Sequence, residues 1–324
     1  MTRYQLSEQK NDGQTIYVLK DAEYPAEAYL VPEIGNNLFR FTVKGEEVLI
    51  YPEQVAMIKE ASARYGIPIL FPPNKVRKGT FSFQGKQYQL GLNKGEHHSH
   101  GELRVRPWKV VAKGATADRG AFVMSEFDFN DHPDLLHAFQ SRLVFRFTYS
   151  LFEGELTLTG EVTNHGSETA PFTLGFHPYF TVSPENQQQT TMKVASQSEW
   201  TVNREGFVEG EPLATPLCER LTNGLAYTEM PSDKDHAFVT LQAGTTSCEI
   251  QDHTKKRTIV YHFGDHFPYM IVFKPEWNSS LSLEPYTAVT DAFNLPLPAD
   301  ITGARGLDLQ KPFHFMHKIS VVEE

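Results

Sequence analysis

The chain has 324 residues, of which 40% are apolar and 22% charged, with a formal net charge of −10. This composition is close to a soluble globular average and supplies enough apolar surface for a sizeable core, which argues against a disordered chain. The acidic balance argues against partners that reward clustered Lys and Arg, so no nucleic acid and no membrane surface is expected, and a small molecule is the expected partner.

Met1-Thr2-Arg3-Tyr4-Gln5 leads into polar residues rather than an apolar run, so no secretory leader is expected. No stretch reaches the roughly 18 apolar residues of a membrane span. The two cysteines, Cys218 and Cys248, have neither CxxC spacing nor a disulfide framework. They read as two buried thiols in a reducing cytoplasm. No linker, low-complexity run or internal repeat divides the sequence, so residues 1–324 read as one large domain, either a monomer or a homodimer.

In chain order, the first signal is a hairpin whose turn, Asn11-Asp12-Gly13, precedes the alternating run Thr15 to Leu19. Ala28 to Val31, Leu38 to Val43 and Glu47 to Tyr51 are further predicted strands. Residues 52–65 carry Val55, Ile58 and Ala61 or Ser62 at helical spacing and predict one short peripheral helix. After a proline-bounded run ending at Phe71-Pro72-Pro73, strands resume with Phe81, Phe83 and Tyr88 around a Gly85 turn. Residues 93–100 read as a polar loop, Val105 to Val111 as a strand, and 131–139 as a segment holding one helical turn.

The clearest sheet signal runs from Leu143 to Phe180. Leu143, Phe145, Phe147, Tyr149 and Leu151 share one face, and Val144, Arg146, Thr148 and Ser150 the other. A turn at Glu153-Gly154 leads to Leu156, Leu158 and Val162. In the next strand Phe172, Leu174 and Phe176 alternate with Thr173, Gly175 and His177, so His177 leaves the aliphatic face. The same parity recurs in Ser280-Leu281-Ser282-Leu283-Glu284-Pro285, where Glu284 points with Ser280 and Ser282. Two acid–base groups thus stand at strand ends on faces cleared of bulky side chains, in a chain that reads as an all-β, large β-sandwich with few short helices.

Several stretches together resemble the aldose 1-epimerase (galactose mutarotase) family. They are Gly66-Ile67-Pro68-Ile69-Leu70-Phe71-Pro72, the run from Asn74 to Phe81, His100-Gly101 with Arg104 and Trp108, Gly175-Phe176-His177-Pro178-Tyr179-Phe180, Asp235-His236-Ala237-Phe238, and Leu283-Glu284-Pro285. The resemblance implies a β-supersandwich that interconverts the α and β anomers of a sugar with no cofactor. It implies His177 as general acid, Glu284 as general base, and His100 and Asp235 as sugar-binding residues. Where many members of the family carry Arg directly after the Asn, this chain has Lys75. Lys is a point charge without the guanidinium fork, and Arg77, on the same side of an extended strand, is the expected substitute.

The chemistry fits these residue types. Opening a cyclic hemiacetal needs one proton removed from the anomeric hydroxyl and one delivered to the ring oxygen, and reclosure reverses both. A carboxyl raised toward neutrality and an imidazole serve both directions. Phe71, Tyr179 and Trp277 are candidates to pack on the sugar, and Arg104 with Arg106 admits a phosphorylated sugar as an alternative substrate, because guanidinium matches phosphate. A noncatalytic carbohydrate-binding protein of the same fold is the alternative from another class. The cluster Glu96-His97-His98-Ser99-His100 invites a metal, but Glu102 follows His100 too closely for the third ligand of metal-binding β-barrels, so no metal is expected. No GxSxG elbow or Gly-rich phosphate loop occurs.

Overall fold

In the computed structural model, which describes residues 2–230 and 236–323, the chain is all-β with few short helices, as its alternation predicts. The N-terminal hairpin pairs Tyr4–Asn11 with Gln14–Asp21. Its turn residues Asp12 and Gly13 both have positive φ, 49° and 80°, the conformation whose twist matches a two-residue hairpin. With Ala26–Val31, Asn37–Val43 and Glu46–Glu47 this hairpin makes a five-stranded antiparallel sheet among the described residues.

Two larger antiparallel sheets form the body of the molecule. The first has nine described strands and is centred on Leu143–Phe152, Glu155–Asn164 and Phe313–Glu323. The second has eight described strands, among them Ser196–Val202, Ala237–Leu241, Tyr269–Phe273 and Ser280–Tyr286. The predicted alternation decides how they meet. Phe147, Phe315 and Tyr261 of the first sheet face Phe176 and Phe180 of the second: Phe147 lies 6.3 Å from Phe176, Phe315 5.2 Å from Phe176, and Tyr261 5.5 Å from Phe180. All five are buried, and each such ring stabilises the fold by about 1.5–3 kcal/mol through its removal from water. Because successive side chains on a strand point to opposite faces, fixing Phe176 and Phe180 in this core turns His177 and Tyr179 to the far side of the second sheet.

The structure corrects several boundaries. The helix expected in 52–65 is only Ala56–Glu60, and the turn expected in 131–139 is the longer helix Pro133–Phe139. Residues 105–108 are not strand. The ladder starts at Lys109, while Trp108 turns inward and donates its indole N–H to the Leu103 carbonyl at 3.2 Å. After Glu46–Glu47 the expected strand to Tyr51 breaks off, and Leu49 instead bridges to Phe180. Phe71 is likewise not available to a ligand, because it sits in the core against Phe139 and Phe145, with ring centres 5.0 Å away in each case. Among the described residues no helix is long and apolar enough to cross a membrane.

Candidate active site

Two strand segments deliver the two expected acid–base groups to one point. Gly175 pairs with Tyr286, and Tyr179 with Ser282, across the strand Ser280–Tyr286. The same antiparallel register carried between those pairs places His177 opposite Glu284. The ladder is interrupted there because Pro178 has no N–H, while on the other side of the strand the His177 N–H bonds to the Pro68 carbonyl at 3.1 Å. Leu281 and Leu283 join the core, so by parity Ser282, Glu284 and Tyr286 share the outer face with His177 and Tyr179. His177 Nε2 lies 3.3 Å from Glu284 Oε1.

Around this pair the polar contacts are short. The Tyr286 hydroxyl donates to Glu284 Oε2 at 2.5 Å. Ser282 Oγ is 2.8 Å from His177 Nδ1, and the Tyr179 hydroxyl is 3.4 Å from Nε2. The Tyr179 ring stacks on the imidazole at 4.7 Å. His177 is 6% and Glu284 2% exposed, which is unusual for titratable side chains. Burial pushes the Glu284 carboxyl up to about 8, against the downward influence of the Tyr286 hydroxyl that donates to it. Burial, with His100 as the next cause, holds the imidazole of His177 well below its ordinary range. The pair therefore holds one proton between them, and burial places it on the carboxyl side.

The pair opens into a cleft of about 580 Å³ lined also by Arg64, Asn74, Lys75, Lys94, His100, Arg104, His236, Phe273 and Trp277. His100 is fixed by a bond from its N–H to the Asn74 carbonyl at 2.7 Å. Asn74, His100 and Gly101 all have positive φ, 51°, 59° and 65°. The first two are left-handed non-glycine residues, each at a cost of about 1–3 kcal/mol, a kind of strain that clusters at functional sites. At Gly101 a side chain is impossible, since a Cβ would stand 1.9 Å from the Phe71 carbonyl oxygen. The His100 ring lies 5.7 Å from that of His177. Burial, then Arg104 and Lys75, lower His100 to about 3, so its imidazole is neutral, and its buried Nδ1 has no partner among the described residues.

Of the remaining predicted residues, Lys75 and Arg104 line the cleft and Arg77 does not. Lys75 donates its ammonium to the Glu205 carbonyl, and Arg104 donates to Ser62 Oγ and, at 3.3 Å, to the Ser99 carbonyl. The strand ends at Val76, and Arg77–Gly79 is a 3-10 turn. That turn swings Arg77 out of register with Lys75, to lie 3.5 Å from Asp291 and 4.1 Å from the Phe207 ring centre. Arg106 pairs with Asp134 instead of facing the cleft. Asp235 lies outside the described residues. In the His-rich loop, His97 Nδ1 accepts from the Lys78 N–H, His98 Nδ1 donates to the Gly91 carbonyl, and of the three histidines only His100 lines the cleft.

With this geometry in place, comparison with known proteins is decisive for the family. The sequence model of the aldose 1-epimerase family matches residues 21–309. The chain belongs to the aldose 1-epimerase family. It is 30% identical over 164 residues to the uncharacterized protein YphB of Escherichia coli K12, covering 50% of this chain and 49% of that one. It is 30% identical over 115 residues to the galactose mutarotase of Sus scrofa, covering 34% of this chain and 30% of the relative. The chain thus spans about half or less of the length of these curated relatives. A solved galactose mutarotase-like protein from Clostridium acetobutylicum superposes with a TM-score of 0.90 at 23% identity, covering 99% of both chains. The galactose 1-epimerase of Lactobacillus acidophilus superposes at 0.79 with 12% identity, covering 100% of this chain and 99% of that one. At these identities the likeness establishes the galactose mutarotase-like sandwich fold.

In this aldose 1-epimerase family member, the site residues that sequence reasoning did not single out are Ser282 and Tyr286, which contact the acid–base pair, and Asn74 on the cleft wall. The first two were within reach. Ser282 and Tyr286 stand two residues either side of Glu284, and period two puts all three on one face. Gly175 belongs to the same unit, because a Cβ there would stand 2.4 Å from Tyr286 Cδ1. Its missing side chain is the space in which the ring that holds Glu284 lies.

Proposed function

We propose that this chain interconverts the α and β anomers of an aldose by acid–base ring opening and reclosure, without a cofactor. The observation that carries the reading is the buried His177–Glu284 pair, 3.3 Å apart, at the wall of a cleft of about 580 Å³, a size that suits a small ligand. With the shared proton on His177, Glu284 takes the proton of the anomeric hydroxyl while His177 protonates the ring oxygen. The C1–O5 bond breaks and the C1 carbonyl forms. The open-chain aldehyde then faces a protonated Glu284 and a neutral His177, the placement that burial favours. After rotation about C1–C2 the carbonyl presents its other face, and both protons return as the ring closes.

Each group contributes about 10²–10⁴ in rate, enough for a reaction that already proceeds in water. His100 supports sugar binding through a neutral ring beside the pair. Lys75 stands where a family Arg is expected, and Tyr179 and Trp277 offer ring faces to the sugar C–H groups. Asp235, expected to accept from sugar hydroxyls, precedes the cleft residue His236. Two buried cysteine thiols, free of any disulfide, support a cytoplasmic setting.

A second reading, a hexose-6-phosphate 1-epimerase, is favoured by one feature. Arg64, Lys75, Lys94 and Arg104 line the cleft of a chain whose net charge is −10, and the buried Nε of Arg104 has no partner among the described residues. Anomer exchange followed by NMR over free and phosphorylated aldoses separates the readings. Exchange of free sugars above background supports the first, and a phosphate requirement lost in Arg104→Ala supports the second. Sugar-induced rises in melting temperature with exchange at background leave a noncatalytic carbohydrate-binding protein.

A further inference from the structure

We infer that Ser282 is a positioning residue that fixes which nitrogen of His177 carries the mobile proton. Ser282 Oγ lies 2.8 Å from the Pro178 carbonyl oxygen and 2.8 Å from His177 Nδ1. A serine hydroxyl has a single proton, and a carbonyl oxygen can only accept. The Oγ proton therefore goes to Pro178, and Oγ faces Nδ1 as an acceptor. It follows that Nδ1 is the protonated nitrogen of the neutral imidazole. The free lone pair is on Nε2, which faces Glu284 Oε1 at 3.3 Å and the Tyr179 hydroxyl at 3.4 Å.

The opposite tautomer would set the Nδ1 lone pair against an oxygen whose proton is already committed, in a site where Ser282 is fully buried and water cannot replace the lost bond. The device is also rigid. Pro178 follows His177 directly, and Ser282 is the register partner of Tyr179, so donor, acceptor and imidazole belong to one cross-strand unit. Nδ1–H stays in place through the cycle, and proton exchange is confined to Nε2. When His177 is charged, Oγ still accepts from Nδ1–H, and the second N–H, on Nε2, faces Glu284 Oε1.

The kinetic part rests on the anomer-exchange reading, whereas the tautomer does not. The experiment is ¹⁵N NMR of the imidazoles in the full chain, with His177→Gln identifying the His177 signals among the 13 histidines, together with kinetics of Ser282→Ala and Ser282→Thr. Neutral His177 in the wild type is expected as the Nδ1–H form. In Ser282→Ala that pattern is lost in favour of a mixture, kcat falls about tenfold, the loss expected for one buried hydrogen bond, and KM stays within about twofold. Ser282→Thr keeps the hydroxyl and restores both pattern and rate. An Nε2–H tautomer in the wild type overturns the inference, as does a Ser282→Ala variant with unchanged spectrum and rate. Equal slowing in both variants with a wild-type spectrum would also overturn it, because it would assign the effect to packing. Absence of anomer exchange in the wild type would remove the functional reading and leave the tautomer result standing.

Discussion

His177 and Glu284 are cross-strand neighbours, with Nε2 3.3 Å from Oε1. The pairs Gly175–Tyr286 and Tyr179–Ser282 on either side hold them in register. The distance between the acid–base groups is thus set by the spacing of a β-ladder, one of the stiffest references a protein offers.

Burying a carboxyl whose proton affinity is raised makes stability depend on pH. Glu284 is shifted from an ordinary 4.5 up to about 8 by burial. Between those values the folded chain keeps a proton that the unfolded chain has lost. The contribution of this group to stability is therefore fully present below about pH 4.5 and lost as pH rises through about 8. Glu284→Gln, which cannot ionise, should melt above the wild type by a margin that widens from pH 5 toward 8 and then levels off. Melting curves across that range check this, and a constant margin would contradict it.

The Tyr286 hydroxyl, 2.5 Å from Glu284 Oε2, stabilises the ionised carboxylate and lowers its proton affinity. Tyr286→Phe should move the Glu284-dependent limb of the rate–pH profile to higher pH and reduce kcat at neutral pH by about tenfold or more, as for a hydrogen bond to a charged group. A limb that stays in place or moves to lower pH would refute that role.

Gly175→Ala tests the same support from beneath. The added Cβ would stand 2.4 Å from the Tyr286 ring and 2.8 Å from Pro73 Cβ. Overpacking of a buried site costs about 1–3 kcal/mol, so denaturant titration should show a loss of that size, with kcat falling as Tyr286 shifts. Wild-type stability and rate together would show that the ring yields freely.

Lys75 and Arg77 should separate in their effects. Lys75→Ala removes a cation from the cleft wall and is expected to raise KM several-fold. Arg77→Ala leaves the cleft intact and should leave KM unchanged, but it should lower the melting temperature, because the Asp291 side chain, 2% exposed, loses its cation. Steady-state kinetics beside melting curves distinguish them.

Much of this was legible in the residues. Strict alternation from Leu143 to Leu151 and in Ser280–Tyr286 fixed which side chains enter the core, and the same parity exposed His177 and Glu284. Their contact was not legible, because register between strands far apart in sequence is decided by pairing and not by local pattern. Arg77 was misplaced for a local reason. A left-handed Lys78, φ 52°, folds the strand into a turn at a residue type that gives no turn signal. Phe71 was misplaced for a tertiary one, since its neighbours Phe129, Phe139, Phe145 and Phe172 come from distant segments and draw it into the core.

The acid–base pair itself is tested most directly by anomer exchange in His177→Ala, Glu284→Gln and the double variant, followed by NMR on a sugar that the wild type turns over. Each single substitution should lower kcat at least about a hundredfold. The double variant should be little slower than the worse single one, because the two groups act as a unit. Wild-type exchange in both single variants would contradict the mechanism.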